Sequence, residues 1–256
     1  MLNHHVRIGQ RADDAEKPFW ISYADLMTAL MMLFLVVMVG ALLKITNVVQ
    51  DAHILDEIRK GEAVRTAEIG FLCSKLKERA KAADSNVYVD CSQNRIQFGS
   101  IGQFAHDSFV LPPEGVDSLR RMVPLILEAA ESPEGRKWLK QIQIEGFTDT
   151  DGTYLYNLHL SLQRSEYVMC SLLDDQLVSG RKPYPLDNLS KLLVQKLFLA
   201  GGASFNHSKD SKSESRRVEL RIVFFGLKDK HSQEENLEES DFEVNQKRDF
   251  CRIYRK

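Results

Sequence analysis

Residues 19–43 read FWISYADLMTALMMLFLVVMVGALL. After Asp25, only Thr28 interrupts a run of eighteen otherwise apolar residues that ends at Leu43. A helix of this length, at ~1.5 Å per residue, crosses the ~30 Å hydrocarbon core of a bilayer. The run is too long for a signal peptide and has no small-residue cleavage site, so we predict one uncleaved transmembrane helix over 19–43.

Asp25 lies inside this predicted span. A carboxylate there costs roughly 2.5–3.5 kcal/mol, so an acidic residue in such a place usually has a function. Because hydrocarbon favours the neutral acid over the carboxylate, we expect Asp25 to take up and release an ion, a proton first and sodium as the alternative. Two alternatives stay open: an aspartate held at the membrane interface, and one salt-bridged within an inert helix bundle.

The basic residues around the span predict its orientation. Arg7, Arg11 and Lys17 precede it, whereas Lys44 is the only lysine or arginine between the span and Arg59. By the positive-inside rule, residues 1–18 form a cytoplasmic tail and the rest of the chain lies in the periplasm of a bacterial inner-membrane protein.

All four cysteines follow the span, as expected for an oxidising compartment such as the periplasm. They are Cys73, Cys91, Cys170 and Cys251. We favour pairing Cys73 with Cys91 and Cys170 with Cys251, and four buried free thiols are the alternative.

Three further regions follow from hydrophobic periodicity. Residues 44–83 repeat apolar side chains at helical spacing and form a predicted periplasmic linker, with Gly61 and Gly70 as candidate breaks. This helix could pair with its copy in a second chain, lie on the membrane, or pack on the folded domain. Residues 84–226 alternate strands (87–90, 96–98, 141–145, 218–224) with helices (116–130, 157–173, 189–199). That order predicts an α/β (α+β) sandwich with helices on one face of the sheet. Residues 227–256 form a polar, charged tail.

A candidate binding cleft follows the third predicted strand. That strand ends in Gly-Phe-Thr-Asp (146–149), and the next helix carries Asn157, Leu160 and Arg164. Asp149 can accept hydrogen bonds from an ammonium group, and Arg164 can present a planar fork to a carboxylate, which suits a zwitterionic ligand. The alternative is that Asp149 caps the following segment and pairs directly with Arg164.

Two resemblances to known families rest on these motifs. WISYADLMTA (20–29) resembles the transmembrane segment of the flagellar stator protein MotB and, more distantly, those of ExbD and TolR. In that family the aspartate carries protons, and the helix is paired as a dimer inside a ring of a multi-span MotA-like partner. By position, the resemblance assigns ion transfer to Asp25 alone.

Residues 84–226 resemble the OmpA-like peptidoglycan-binding domain, through the Gly-Phe-Thr-Asp turn, the Leu-Ser-Leu-Gln-Arg helix (160–164) and Ser-Arg-Arg-Val-Glu (215–219). The resemblance implies that Asp149 and Arg164 hold the diaminopimelate of the wall stem peptide. It names four secondary contacts: Thr148, Asn157, Leu160 and Arg217. Phe147 stands where histidine is usual in that family, and Ser215 where asparagine is common.

The short helical linker, the cysteines and the charged tail resemble the ZorB family of Zorya anti-phage defence systems. This implies a wall-anchored subunit of a proton-driven inner-membrane motor, working as a homodimer within a ring of a ZorA-like multi-span partner. A flagellar stator and a passive wall tether without ion flow are the alternatives.

Other chemistry lacks a motif. The seven histidines are scattered without metal-ligand spacing, and no serine or cysteine lies in a nucleophile motif. We therefore expect no enzyme activity, no metal and no cofactor beyond the proton-motive force or a sodium gradient. A net charge of -2 gives no reason to expect direct nucleic-acid binding.

Overall fold

The computed structural model describes residues 17–175, 184–229 and 251. The chain divides into two compact units, residues 1–61 and 62–256. Most of the predicted tails, at 1–18 and 227–256, lies outside the described residues. The predicted fold class, one long apolar N-terminal helix followed by an α/β domain, is confirmed.

Helix α1 (Lys17–Ala83) is the only helix in the described part of the chain that is long and apolar enough to cross a membrane, by length and composition. It continues through Gly61 and Gly70, so the breaks considered at these glycines do not occur. Within the first unit, residues 22–60 are exposed, including the apolar side chains of the predicted span. Such a surface requires hydrocarbon or other helices around it.

The last part of α1, from Glu62 onward, is the first element of the second unit. Cys73, Leu76 and Ala80 recur at helical spacing and belong to the domain core, and Leu72 beside them is also buried. The carboxylate of Glu68 accepts hydrogen bonds from Trp138 Nε1 (2.5 Å) and Lys137 Nζ (2.7 Å). The compact unit therefore begins at Glu62, whereas the predicted domain begins at residue 84. The difference arises because the end of the linker packs on the domain.

The sheet of the second unit has the strand order β1-β2-β5-β3-β4. Its strands are β1 (Tyr88–Asp90), β2 (Arg95–Gln97), β3 (Leu139–Gly146), β4 (Phe198–Gly202) and β5 (Val218–Phe224). All neighbours are antiparallel except β3 and β4, which are parallel. The helices are α2 (Pro113–Glu131), α3 (Pro133–Trp138), α4 (Tyr154–Leu173), α5 (Asn188–Leu197) and α6 (Lys212–Ser215), with a 3-10 turn at Gly99–Gly102.

Alternation along the central strands separates a core face from a charged face. Ile142, Ile144 and Leu220 belong to the core cluster together with apolar residues of α2, α4 and α5. Residues between them, such as Glu145 and Glu219, point to the opposite face and bind arginines there. The domain thus has a helical layer over one sheet face, as predicted.

Strand β4 is absent from the sequence-based assignment, which extends the preceding helix over 189–199. In the structure that helix ends at Leu197, and Phe198–Gly202 pairs in parallel with β3. Gly202 lies tight against α4: an added Cβ would be 2.5 Å from the Ser161 side chain. Glycine has a low propensity for strands, which hides β4 in the sequence. The same glycines allow β4 to lie close to α4, because they have no side chain.

Candidate functional site

The cleft forms where the chain leaves β3. Asp149 is 5% exposed, and its Oδ2 accepts a hydrogen bond from Arg216 Nη1 at 2.9 Å. The backbone N–H of Asp151 donates to Asp149 Oδ1 at 3.2 Å. Burial raises the pKa of Asp149, but the hydrogen bonds from Arg216 and Asp151 outweigh it and hold that pKa below its ordinary value. Asp149 is therefore a carboxylate at neutral pH with one arginine already bound to it.

Arg164 lies beneath the same cleft, on α4, and its side chain is fully buried. Its guanidinium donates to three backbone carbonyls: Ser108 (2.8 Å), Phe147 (2.6 Å) and Ala105 (3.3 Å). Burial lowers the pKa of Arg164 to about 10, so it stays charged. The direct Asp149–Arg164 ion pair considered in the sequence analysis is not formed, because Arg216 occupies Asp149 and the carbonyls occupy Arg164.

The secondary candidates divide between two places. Thr148 is buried, and its hydroxyl has no hydrogen-bond partner among the described residues. Asn157 Nδ2 donates to the backbone carbonyl of Asp151 at 2.8 Å and so fixes the turn after Asp149, and Leu160 is buried one helical turn further on. Arg217 instead donates to Glu219 Oε1 at 2.6 Å, on the charged face of the sheet, and covers the Phe147 ring.

Sequence reasoning missed the role of Arg216. Arg216 and Arg217 are adjacent, and near β5 consecutive side chains point to opposite sides of the sheet. Only one of the pair can therefore reach Asp149, and the structure places Arg216 there. Val218 faces inward, and Arg216 lies two residues before it, so the alternation of side chains along a strand places Arg216 on that same side. This alternation is the signal in the sequence that could have identified Arg216.

The rim of the cleft carries further charges. Lys212 Nζ binds Asp151 Oδ1 at 2.6 Å, and Tyr156 Oη donates a hydrogen bond to Asp107. Ligand atoms of His106, Asp149 and Asp151 lie within 4.8 Å of one another, a spacing that a metal ion could bridge. A cation there would have to displace Lys212 and Arg216 from these carboxylates, so the geometry favours a ligand that itself carries both charges.

Asp25 occupies the first unit, in the exposed apolar part of α1. The hydroxyl of Thr28 donates to the backbone carbonyl of Asp25 at 2.9 Å, which leaves the carboxylate outside this bond. Asp25 thus lies in the helix that contains the predicted span 19–43, and its role in ion transfer stays a prediction.

The cysteines pair as favoured from the sequence. Cys73 is bonded to Cys91, which ties the end of α1 to the segment after β1, and Cys170 is bonded to Cys251, which ties α4 to the C-terminal region. Neither bond touches the cleft residues, so their role is to hold elements of the second unit together.

Comparisons with known proteins give four findings. The family described as membrane MotB of the proton-channel complex MotA/MotB matches residues 7–46. The cell wall anchor of the type VI secretion system from Pseudomonas aeruginosa is 22% identical, with a TM-score of 0.37 over 59% of this chain and 97% of that one. The periplasmic domain of Helicobacter pylori MotB is 15% identical, with a TM-score of 0.35 over 59% of this chain and 84% of that one.

A much nearer relative is the Zorya protein ZorB from Escherichia coli O139:H28 (strain E24377A / ETEC). It is 53% identical over 247 residues, which are 95% of this chain and 94% of the relative. The match therefore covers both the apolar helix and the α/β domain. The chain therefore belongs to the ZorB family of Zorya proteins.

Proposed function

We propose that this chain is the wall-anchored subunit of an ion-driven inner-membrane motor of a Zorya anti-phage defence system. The observation that carries the proposal is the presence, on one chain, of an acidic residue in an apolar spanning helix and of a folded cleft that presents opposite charges. An ion carrier and an anchor on the same chain allow force to be exerted against a fixed point. Membership of the ZorB family supports this proposal.

In this proposal Asp25 carries the ion, most simply a proton, and sodium is the alternative. Two copies of the helix pack inside a ring of a multi-span ZorA-like partner, and protonation changes the preferred contacts of each helix with that ring. Only a difference in binding between the charged and the neutral aspartate can drive such a change. The exposed apolar surface over residues 22–43 is the surface that hydrocarbon and the ring would cover.

The second unit binds peptidoglycan in the periplasm. Asp149 accepts hydrogen bonds from the ammonium of a diaminopimelate side chain, and Arg216, released from Asp149, pairs with its carboxylate. Arg164 supplies positive charge below the cleft and holds the loop at 105–108, while Thr148, Asn157 and Leu160 shape the floor. The N-terminus lies in the cytoplasm, and the protein binds and moves ions rather than catalysing a reaction.

Two variants expressed from the complete system test the two halves separately. Asp25→Asn should abolish protection against phage while the partner still co-purifies and the protein still sediments with isolated cell walls. Asp149→Ala should lose wall sedimentation while keeping partner capture. Asp25→Glu is the matched control and should retain part of the protection.

A passive tether without ion flow differs in one outcome: it predicts that Asp25→Asn keeps full protection. Full protection by Asp25→Asn would refute the motor, and wall sedimentation by Asp149→Ala equal to that of the unchanged protein would refute the cleft. Phage plating efficiency, affinity capture and sedimentation measure these outcomes independently.

A further inference from the structure

An exposed patch of large side chains lies at the start of α4, beside the cleft. Tyr154 is 46% exposed and Leu155 is 74% exposed. The half-buried ring of Phe205 meets that of Tyr154 edge-on, with centroids 5.6 Å apart. We call these three side chains the aromatic platform. None of the hydrogen bonds described for the cleft involves these side chains, so the proposed function leaves the platform without a role.

The platform is built into the cleft rather than loosely attached to it. Ser204 is buried with a positive φ of 54°, and its hydroxyl donates to the backbone carbonyl of Tyr154 at 3.2 Å. Its N–H donates to Ser161 Oγ at 3.0 Å, and its carbonyl accepts from the N–H of Thr148, also at 3.0 Å. Ser204 therefore fixes Phe205 and Tyr154 relative to the residue that precedes Asp149.

The spacing suits a ligand that extends beyond the cleft. The Cα atoms of Asp149 and Phe205 are at most about 13 Å apart. This bound adds one step along the chain to Thr148, one backbone hydrogen bond to Ser204 and one step along the chain to Phe205. In peptidoglycan, diaminopimelate is separated from the nearest sugar by two stem residues and a lactyl group, which extend over roughly 10 Å. A stem peptide in the cleft therefore brings a sugar to the distance of the platform.

The chemistry of the platform fits that sugar. The C–H face of a pyranose ring and an N-acetyl methyl group are apolar, and the exposed Tyr154 ring, supported from behind by that of Phe205, provides a matching apolar surface. Three side chains are too few for a stable protein interface, which needs about 800 Å² from each partner. A small, rigid apolar patch continuous with a polar cleft is instead typical of a ligand subsite.

We propose that Tyr154, Leu155 and Phe205 form a glycan subsite that packs against a sugar of the peptidoglycan strand whose stem peptide occupies the Asp149 cleft. This rests on the proposed wall-binding function and deepens it: the domain recognises the peptide and its glycan together. The subsite favours wall polymer over free stem peptides released by wall turnover.

Calorimetric titration of the full chain in detergent with two ligands tests the subsite. One ligand is the free stem tetrapeptide containing diaminopimelate, and the other is the same peptide on its disaccharide. The unchanged protein should bind the disaccharide form more tightly. Tyr154→Ala should lose roughly two- to tenfold in affinity for that form and nothing for the free peptide. Tyr154→Phe, which keeps the ring, should behave like the unchanged protein.

The matched control is Tyr88→Ala. Tyr88 is 54% exposed on β1, at the sheet edge opposite β4, and its loss should affect neither ligand. Unchanged binding of the free peptide shows that Tyr154→Ala is folded. Equal affinity of the unchanged protein for both ligands, or equal weakening of both by Tyr154→Ala, would overturn the subsite while leaving wall binding intact. Failure of both ligands to bind the unchanged protein would overturn the proposed wall-binding function and the subsite with it.

Discussion

Replacing Arg164 by alanine should destabilise the second unit, because this arginine braces the loop over the cleft. The substitution removes hydrogen bonds to the carbonyls of Ala105, Ser108 and Phe147 and leaves these acceptors without their charged donor. Hydrogen bonds from a charged donor contribute about 1.5–3 kcal/mol each, so three contribute about 4.5–9 kcal/mol.

Relief of the buried charge offsets part of this loss. Burial lowers the pKa of Arg164 from its ordinary value to about 10, which corresponds to an unfavourable contribution of about 3 kcal/mol to folding. The expected net decrease in the free energy of unfolding is therefore about 3 kcal/mol, within a range of about 1–6 kcal/mol. A domain of ordinary stability, about 5–15 kcal/mol, remains folded after a loss of the central value.

Urea unfolding of the detergent-solubilised full chain measures this loss. Trp138 is 4% exposed and donates to Glu68, so its fluorescence reports unfolding of the second unit, and a Trp20→Phe background removes the other tryptophan. Arg221→Ala is the matched control: the Arg221 side chain is 51% exposed, so its loss should change stability by less than about 1 kcal/mol. An unchanged unfolding midpoint for Arg164→Ala, combined with loss of wall binding, would refute the brace and make Arg164 a direct ligand group.

Three further predictions concern the stability of the same unit. Replacing Cys73 and Cys91 together by serine opens a loop with a sequence separation of 18 and should lower the free energy of unfolding by about 3 kcal/mol. The urea midpoint should fall, and chemical reduction of the unchanged protein should reproduce part of that fall. Burial raises the pKa of Asp84, but hydrogen bonds, of which that from Arg121 is the largest, outweigh it and lower the pKa from 3.8 to about 2. About 2.5 kcal/mol of stability should therefore be present above pH 4 and be lost between pH 4 and 2. An Arg121→Gln variant that shows the same acid transition would contradict this assignment. Gly146→Ala should cost at least about 1–3 kcal/mol, because the new Cβ would be 2.2 Å from a backbone carbonyl of α4; a melting temperature equal to that of the unchanged protein would show that β3 and α4 can separate at no cost.

Hydrophobic pattern was enough to predict most of the fold. The predicted strands at 141–145 and 218–224 and the helix at 157–173 agree with the structure to within a few residues, because each has one consistently apolar face. Strand β4 escaped prediction because its glycines serve close packing on α4, which only tertiary structure reveals. Three arrangements of the linker were open from the sequence, and tertiary structure shows one of them for its end, which packs on the domain through Cys73 and Leu76.

The sequence indicated which residues converge at the candidate site better than it indicated which hydrogen bonds they form. The turn after β3 and the helix with Asn157 and Arg164 converge as the motifs indicate. Which arginine reaches Asp149 depends on side-chain direction at the start of β5, and motif spacing alone does not determine it. The contribution of Ser204, which joins the cleft to the aromatic platform, depends on a positive φ in a loop between β4 and α6 and has no motif in the sequence.

The claim that Asp25 carries the ion is what separates a motor subunit from a passive tether. Its most direct test is the cytoplasmic pH of cells that express the complete system, recorded with a pH-sensitive fluorescent protein during phage challenge. If Asp25 carries protons, we expect acidification with the unchanged protein and none with Asp25→Asn, at equal protein levels and equal partner capture. Acidification by Asp25→Asn equal to that of the unchanged protein would contradict the claim.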